Sequence, residues 1–417
     1  MRIIFLVKFY QPFDRGGSEW STRDLAKLLS ETGHQITIIT PNYGATSNEK
    51  IDNINVHRMP FPLKLKDPKA KIAPFWTNNI IWFIYSSAYC LFYCLKNRVD
   101  IIHVHSNEYI PAATICGNIL GKSTIVTFRD YQSLCTLGFC LWQKDKTCTF
   151  REFISQDFQF FYENYVDNKN FLRYATLLLA AIRAMLMQKI IYFLAQKIDF
   201  KIAVSKKVSE IFKVNGVGDT KVINNPVLVN SRPAKSSSKE IIYLGKFSKG
   251  KGVGILQELI FDLTKSLPDA KFKFIGSGYL YKDFRAQIQK LHLGKKVKLS
   301  GQIDHAKALN EVRKAAMVVV PSIWPEPLPR SVIETILSAT PVVATNVGGI
   351  KEIIKENIYG VLSQPNKKSL KRAIVLGYKN RNKFRRNINK DMLKIKKHFS
   401  SDVLNEYIKV YRKTLST

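Results

Sequence analysis

Residues Val318 to Glu334, VVVPSIWPEPLPRSVIE, constrain the fold more tightly than any other stretch of this chain. The apolar run Met317 to Val320 reads as a buried parallel strand that ends at Pro321. A proline-rich loop then carries Glu326, and Pro329 suits the first turn of a helix. That helix presents Glu334, with Ile333, Ile336 and Leu337 on its inward face. It stops near Ala339-Thr340-Pro341, where a second buried strand runs to Thr345 and on to Gly348-Gly349. The unit is strand, loop, helix, strand, with one carboxylate in the loop and one on the helix. In parallel sheets ligands bind at such loops, beyond the carboxyl ends of the strands. Helix-start amides favour phosphate, and carboxylates favour sugar hydroxyls. An ordinary βαβ unit with two solvated glutamates gives the same pattern, so both readings stand here.

The same alternation of strand and helix recurs on both sides of a polar, serine-rich stretch, Asn230 to Lys239. Ile3 to Val7, Gln35 to Thr40, Asn55 to Met59, Asp100 to His105, Ser123 to Phe128 and Asp199 to Ser205 read as strands before it. Glu240 to Leu244, Lys271 to Ile275, Lys296 to Ser300 and Met317 to Val320 follow it. With 417 residues the chain is too long for one core. The reading is two α/β domains in series: 1–229, a linker 230–239, 240–395, and a C-terminal helix 396–417 returning towards the first domain. Each domain has ligand-binding loops at one end of its sheet, so a cleft between the two is expected. The aromatic stretch Cys148 to Asn170 reads as an irregular insertion.

Charge sets the choice of partners. The sequence holds 65 Lys and Arg against 32 Asp and Glu, a net +33, which attracts anionic lipid, nucleic acid or phosphorylated substrates. No recognisable nucleic-acid module accompanies the basic residues, so nucleic acid is not the expected partner. The basic run from Ser369 onward reads as a solvated helix face, a lipid-facing patch or a nucleic-acid patch. Ile72 to Leu95 and Phe171 to Lys197 are apolar and aromatic. The second, punctuated by Arg173, Arg183, Lys189 and Lys197, fits either a basic amphipathic helix on a membrane or a core helix with snorkelling cations. The N-terminus lacks the long apolar core of a signal peptide and reads as a first strand. Cys135, Cys140 and Cys148 lie close in sequence but include no CxxC pair, which gives a zinc site weak support; reduced thiols are expected.

The pieces GGSE (Gly16 to Glu19), DIIHVHS (Asp100 to Ser106), TFRDYQSLC (Thr127 to Cys135), YLGKFSKGKG (Tyr243 to Gly252), FIGSG (Phe274 to Gly278) and EPLPRSVIE (Glu326 to Glu334) follow one another in order. Together they resemble the GT4 family of retaining, nucleotide-sugar-dependent glycosyltransferases. The resemblance covers nearly the whole chain and implies the GT-B fold of two facing Rossmann-like domains. It also implies roles: Glu326 on hydroxyls of the donor sugar, and Glu334 on the ribose. Leu328, Arg330 and Ser331 would offer amides to the diphosphate, since Pro327 and Pro329 have no N–H to give. Lys246, where the family often has arginine, and Lys251 would offset the charge of the leaving diphosphate without a metal. Gly16, Gly17, Gly276 and Asp130 would line the donor site. The family often has histidine before the aspartate; here that position is Arg129, so His105, at a strand end, is a further candidate. The resemblance implies front-face attack, and no catalytic base is assigned.

The resulting expectation is a cytoplasmic transferase, peripheral on the inner face of the membrane. It would move a hexose from a UDP- or GDP-linked donor to a lipid-linked or saccharide acceptor, with no cofactor and no metal. The alternatives are a non-catalytic polyanion binder on the same scaffold, and an epimerase or phosphorylase.

Overall fold

A computed structural model describes residues 1–68, 70, 72–138, 144–166, 168–229 and 238–416. Most of the serine-rich stretch 230–239, and Cys140, lie outside the described residues. Two compact units emerge, Met1–Pro226 with Ser400–Thr417, and Val227–Phe399.

In the first unit the strands are β1 (Arg2–Leu6), β2 (Gln35–Pro41), β3 (Asn48–Ile51), β4 (Ile54–Met59), β5 (Ile101–Val104), β6 (Ser123–Phe128), β7 (Phe200–Ala203) and β8 (Lys221–Val222). They lie side by side in the order β3-β4-β2-β1-β5-β6-β7-β8. All pairings are parallel except β3 with β4, which is antiparallel. The second unit holds β9 (Glu240–Leu244), β10 (Lys271–Ile275), β11 (Val297–Gly301), β12 (Met317–Val320), β13 (Val342–Thr345) and β14 (Gly360–Ser363). Their order is β11-β10-β9-β12-β13-β14, all parallel. Leaving β3 and β8 aside, both sheets show the doubly wound order 3-2-1-4-5-6. Each therefore has a switch point, between β1 and β5 in one and between β9 and β12 in the other, where loops diverge and a ligand fits. This is the two-domain, Rossmann-like architecture of the GT-B fold.

The strands form because their residues are apolar on both faces: β5, β12 and β13 are buried at every position. The second core gathers Ile241, Phe272, Phe274, Met317 and Val319 against helix residues such as Leu256, Ile260 and Ile374. In the first, Phe5, Ile38 and Ile101 meet Tyr407 and Tyr411 of the last helix, Val403–Ser416.

The stretch 148–170, expected to be irregular, is largely helical. Thr149 and Glu152 form a reciprocal capping box that starts a short helix, Phe150–Glu152. A π-helix, Phe153–Phe158, and a helix, Gln159–Tyr165, continue it. Phe153, Phe158 and Tyr162 recur at helical spacing and bury together with Met185 of the helix Phe171–Gln196. The sequence does contain a T-x-x-E helix start, which the density of aromatic residues obscures.

That long helix buries one face only, through Ala181, Met185, Gln188, Ile191 and Ala195. It is long and apolar enough to cross a membrane by length and composition, and 17% of its most apolar window is buried. Reading it as a core helix is therefore not supported.

Candidate active site

The switch point of the second unit brings the loop after β9 beside the loop after β12. Ile323 and Trp324 each donate a backbone N–H to the Gly250 carbonyl, both at 3.0 Å, which ties the two loops together. Gly252 permits this approach: its φ is +69°, and a Cβ there would stand 1.7 Å from the Pro321 carbonyl oxygen. The result places Lys251 against Glu326, with Nζ 2.6 Å from Oε1. Ser322 donates its hydroxyl to the same oxygen at 2.7 Å. Glu326 is buried while Lys251 remains partly exposed. The Glu326 carbonyl accepts the Gly349 N–H at 2.7 Å, so the β13 loop also holds this residue. Lys246 lies exposed on the β9 loop, its carbonyl accepting the Tyr243 hydroxyl at 2.7 Å.

Glu334 sits in the helix Arg330–Leu337, which Pro329 precedes. Its buried Oε1 accepts from Arg330 Nε at 2.7 Å and lies 3.0 Å from His305 Nε2. Arg330, expected to act through its amide, thus also orients Glu334 through its side chain. Arg330 and Ser331 are the first helical residues, whose N–H groups have no partner within the helix. Leu328 is buried in the loop before them. Gly276, φ +135°, donates its N–H to the Gly301 carbonyl and lies so close to the Gly245 carbonyl that a Cβ would overlap it. His305, at the start of the helix His305–Lys314, is a site residue that the sequence motifs do not mark. Its place directly after Asp304, at the N-cap position of that helix, is the only clue to it.

In the first unit Gly16 caps the helix Gly17–Glu31 with extended backbone, and the first turn carries Glu19. Burial pushes the Glu19 carboxyl up, against the pull of Arg129 and Arg15 nearby. Glu19 belongs to the GGSE motif, yet no role for it follows from sequence. His105 and Arg129 are in contact: the Arg129 guanidinium donates to His105 Nδ1, and its Nε donates to Asn225 Oδ1 at 2.9 Å. Arginine gives only protons, so His105 Nδ1 is unprotonated and the ring is neutral. Burial, His103 and Arg129 all hold its pKa well below the ordinary value. The ring also lies against Phe5 and His103, with centroids 4.2 and 4.0 Å away. Asp130 accepts from Asn107 Nδ2 at 2.8 Å and from the Gln132 N–H at 2.9 Å. Burial nevertheless raises its pKa.

The structure therefore brings together Glu326 with Lys251, Glu334 with Arg330, and His105 with Arg129. Buried carboxylates, a cation bonded to one of them and the start of the helix Arg330–Leu337 are groups of the kinds that bind sugar hydroxyls and phosphate.

The family described as Glycosyl transferases group 1 matches residues 226–393, and Glycosyltransferase Family 4 matches residues 15–230. An uncharacterized glycosyltransferase of Methanocaldococcus jannaschii is 30% identical over 38% of this chain and 43% of its own length. One component of human phosphatidylinositol N-acetylglucosaminyltransferase is 22% identical over 88% of this chain and 66% of that protein. This chain thus spans less than two thirds of either relative. Anabaena HepE, solved in complex with UDP and glucose, superposes with a TM-score of 0.66 at 17% identity, covering 100% of this chain and 99% of that one. With Family 4 matching just over half of its residues, the chain belongs to that glycosyltransferase family and has the GT-B fold.

Proposed function

We propose that this glycosyltransferase moves a hexose from a nucleotide-sugar donor, UDP- or GDP-linked, onto an acceptor hydroxyl with retention of configuration. The observation that carries the reading is the Lys251–Glu326 pair at the switch point, followed in the chain by the buried Glu334 in the helix Arg330–Leu337. Glu326 would accept hydrogen bonds from the sugar hydroxyls, and Glu334 from the ribose. The amides of Leu328, Arg330 and Ser331 would meet the diphosphate. As the leaving nucleoside diphosphate gains charge, Lys246 and Lys251 would offset it; fixed cations do this without reorganising at the moment of reaction. His105 and Arg129 are the proposed catalytic residues of the first unit, with Arg129 held by His105 and Asn225. Gly16, Gly17, Asp130 and Gly276 complete the proposed donor set.

The acceptor is a lipid-linked saccharide or glycolipid precursor, used at an anionic membrane surface. The helices Ile80–Lys96, Ile110–Leu120 and Phe171–Gln196 contain no acidic residue. They expose Ile81, Ile84, Ile119, Leu172, Leu179 and Leu186. A cavity of about 920 Å³, lined by Phe61, Phe75, Trp76, Ile81, Trp82 and Arg183 among others, opens beside them. Apolar walls with a cation fit a lipid chain ending in phosphate. The human relative's name, phosphatidylinositol N-acetylglucosaminyltransferase, points to the same acceptor class.

The test is incubation with single nucleotide sugars and a lipid-phosphate acceptor, with the anomeric configuration of the product read by NMR. An axial product from an axial donor supports the proposal. An inverted product refutes retention, and donor turnover without any glycosylated acceptor refutes transfer.

A further inference from the structure

Cys135, Cys148 and Asp157 come from three different local structures. Cys135 follows the turn beyond β6, its N–H donated to the Tyr131 carbonyl at 2.9 Å. Cys148 lies just before the capping box, and Asp157 sits in the π-helix Phe153–Phe158. Their ligand atoms nevertheless all lie within 4.8 Å of one another. Sγ of Cys135 is 3.4 Å and Sγ of Cys148 3.8 Å from the same Asp157 oxygen, Oδ2.

We propose that these three residues hold a structural zinc ion. Tetrahedral zinc with bonds of about 2.3 Å to sulfur and about 2.0–2.2 Å to oxygen requires sulfur–oxygen edges of roughly 3.5 Å and a sulfur–sulfur edge of roughly 3.8 Å. The observed separations match the first, and the cluster's span accommodates the second. The surroundings fit an ion as well. The Gly138 N–H is donated to Cys135 Sγ at 3.1 Å, a contact that favours the thiolate over the thiol. Phe153, Phe158 and Tyr162 form an aromatic wall against which the half-buried Cys148 packs, while Cys135 and Asp157 are buried. The π-helix turns Asp157 inward where a regular helix would carry it to another angle, a distortion common at functional sites. A cavity of about 240 Å³ reaches Cys148 from outside and gives an ion its path.

Binding would proceed with loss of the two thiol protons, so that two thiolates and one carboxylate face one divalent cation, and affinity rises with pH. Three described ligands leave one tetrahedral position for water or a further side chain. The ion takes no part in transfer. It staples the loop that leaves β6 with Arg129 and Asp130 to the helical stretch 149–165, and so holds those two residues in place. Sequence supports zinc only weakly because the cysteines lack paired spacing and the carboxylate lies in a separate helix.

The test uses full-length protein purified under reducing conditions without added chelator. Metal analysis should find about one zinc per chain, falling to near zero in Cys135→Ser and Cys148→Ser but retained in Cys94→Ser. To remain decisive if the serine variants misfold, wild-type protein is stripped with chelator and titrated with Co²⁺. Thiolate-to-cobalt absorption and the intense visible bands of tetrahedral cobalt, displaced by Zn²⁺, support the site. Zinc retained in full by both serine variants overturns it. So does wild-type protein that carries no zinc and gives no such cobalt spectrum, or a disulfide joining Cys135 and Cys148.

Discussion

Lowering the pH should loosen the first unit through two buried histidines, His103 and His105. His103 is fully buried, bonded at Nδ1 to the Tyr411 hydroxyl and at Nε2 to the Thr127 hydroxyl, both at 2.8 Å. Burial and the Arg129 charge depress both ring pKa values well below 6.5. The folded rings thus stay neutral, while unfolded rings take up protons below about pH 6.5. Below that value the unfolded state binds more protons, so stability is complete above it and is lost as pH falls towards the folded pKa. Integrated between pH 7.5 and 5.5, each ring costs about 1.4 kcal/mol, or roughly 2.7 kcal/mol for the pair. Glu19 and Asp130 act in the opposite sense: their raised values let the folded state take up protons first as pH falls. Arg129 stays charged, and Tyr407 and Tyr411, pushed up by burial, stay neutral throughout. The comparison must therefore be between variants. Urea unfolding of wild type and His103→Gln, followed by circular dichroism and tryptophan fluorescence, provides it. The variant should lose about 1.4 kcal/mol less than wild type over this range. Equal losses in the two proteins would refute the neutral-ring reasoning.

Three further outcomes follow from the geometry. Lys251→Met removes the cation beside Glu326 and should lower kcat/KM by about 10²-fold, with Lys251→Arg recovering part of the loss, as read in donor-saturation kinetics. Gly348→Ala places a Cβ 2.1 Å from the Glu326 carbonyl oxygen at a φ of +56°; thermal unfolding should show a loss of about 1–3 kcal/mol and donor binding should weaken. Binding to liposomes should rise with anionic lipid, fall with salt and drop in Ile81→Glu with Leu186→Glu, as measured by sedimentation.

Much of the fold is readable from sequence because its information is local. The apolar runs at Ile101–Val104, Met317–Val320 and Val342–Thr345 have the composition of strands buried on both faces. Glu326 and Glu334 stand out because they punctuate such a run at a proline-marked helix start. What escapes is information carried by distant partners. The antiparallel edge strand Asn48–Ile51 is short and polar, and exists only through its pairing with Ile54–Met59. His305 acquires meaning only from Glu334, 29 residues away, and His103 from Tyr411, 308 residues away. The pairing of Lys251 with Glu326 joins residues 75 apart, so their expected separate roles could not disclose it. Cys135 and Asp157 meet for the same reason, through folding of a stretch whose aromatics conceal its helical period.

The central claim is that Glu326 and Glu334 hold a nucleotide sugar, and donor-dependent thermal stabilisation tests it most directly. A donor at about a hundred times its Kd should stabilise wild type by about 2.7 kcal/mol, a rise of about 3 °C for a protein of this size. The readout is the ligand-induced increment, so any intrinsic destabilisation of a variant cancels. The account predicts that one nucleotide sugar in a screen gives this rise with wild type and with Lys290→Ala. With Glu326→Ala and Glu334→Ala the rise should fall below about 1 °C. Full stabilisation retained by both glutamate variants would contradict it.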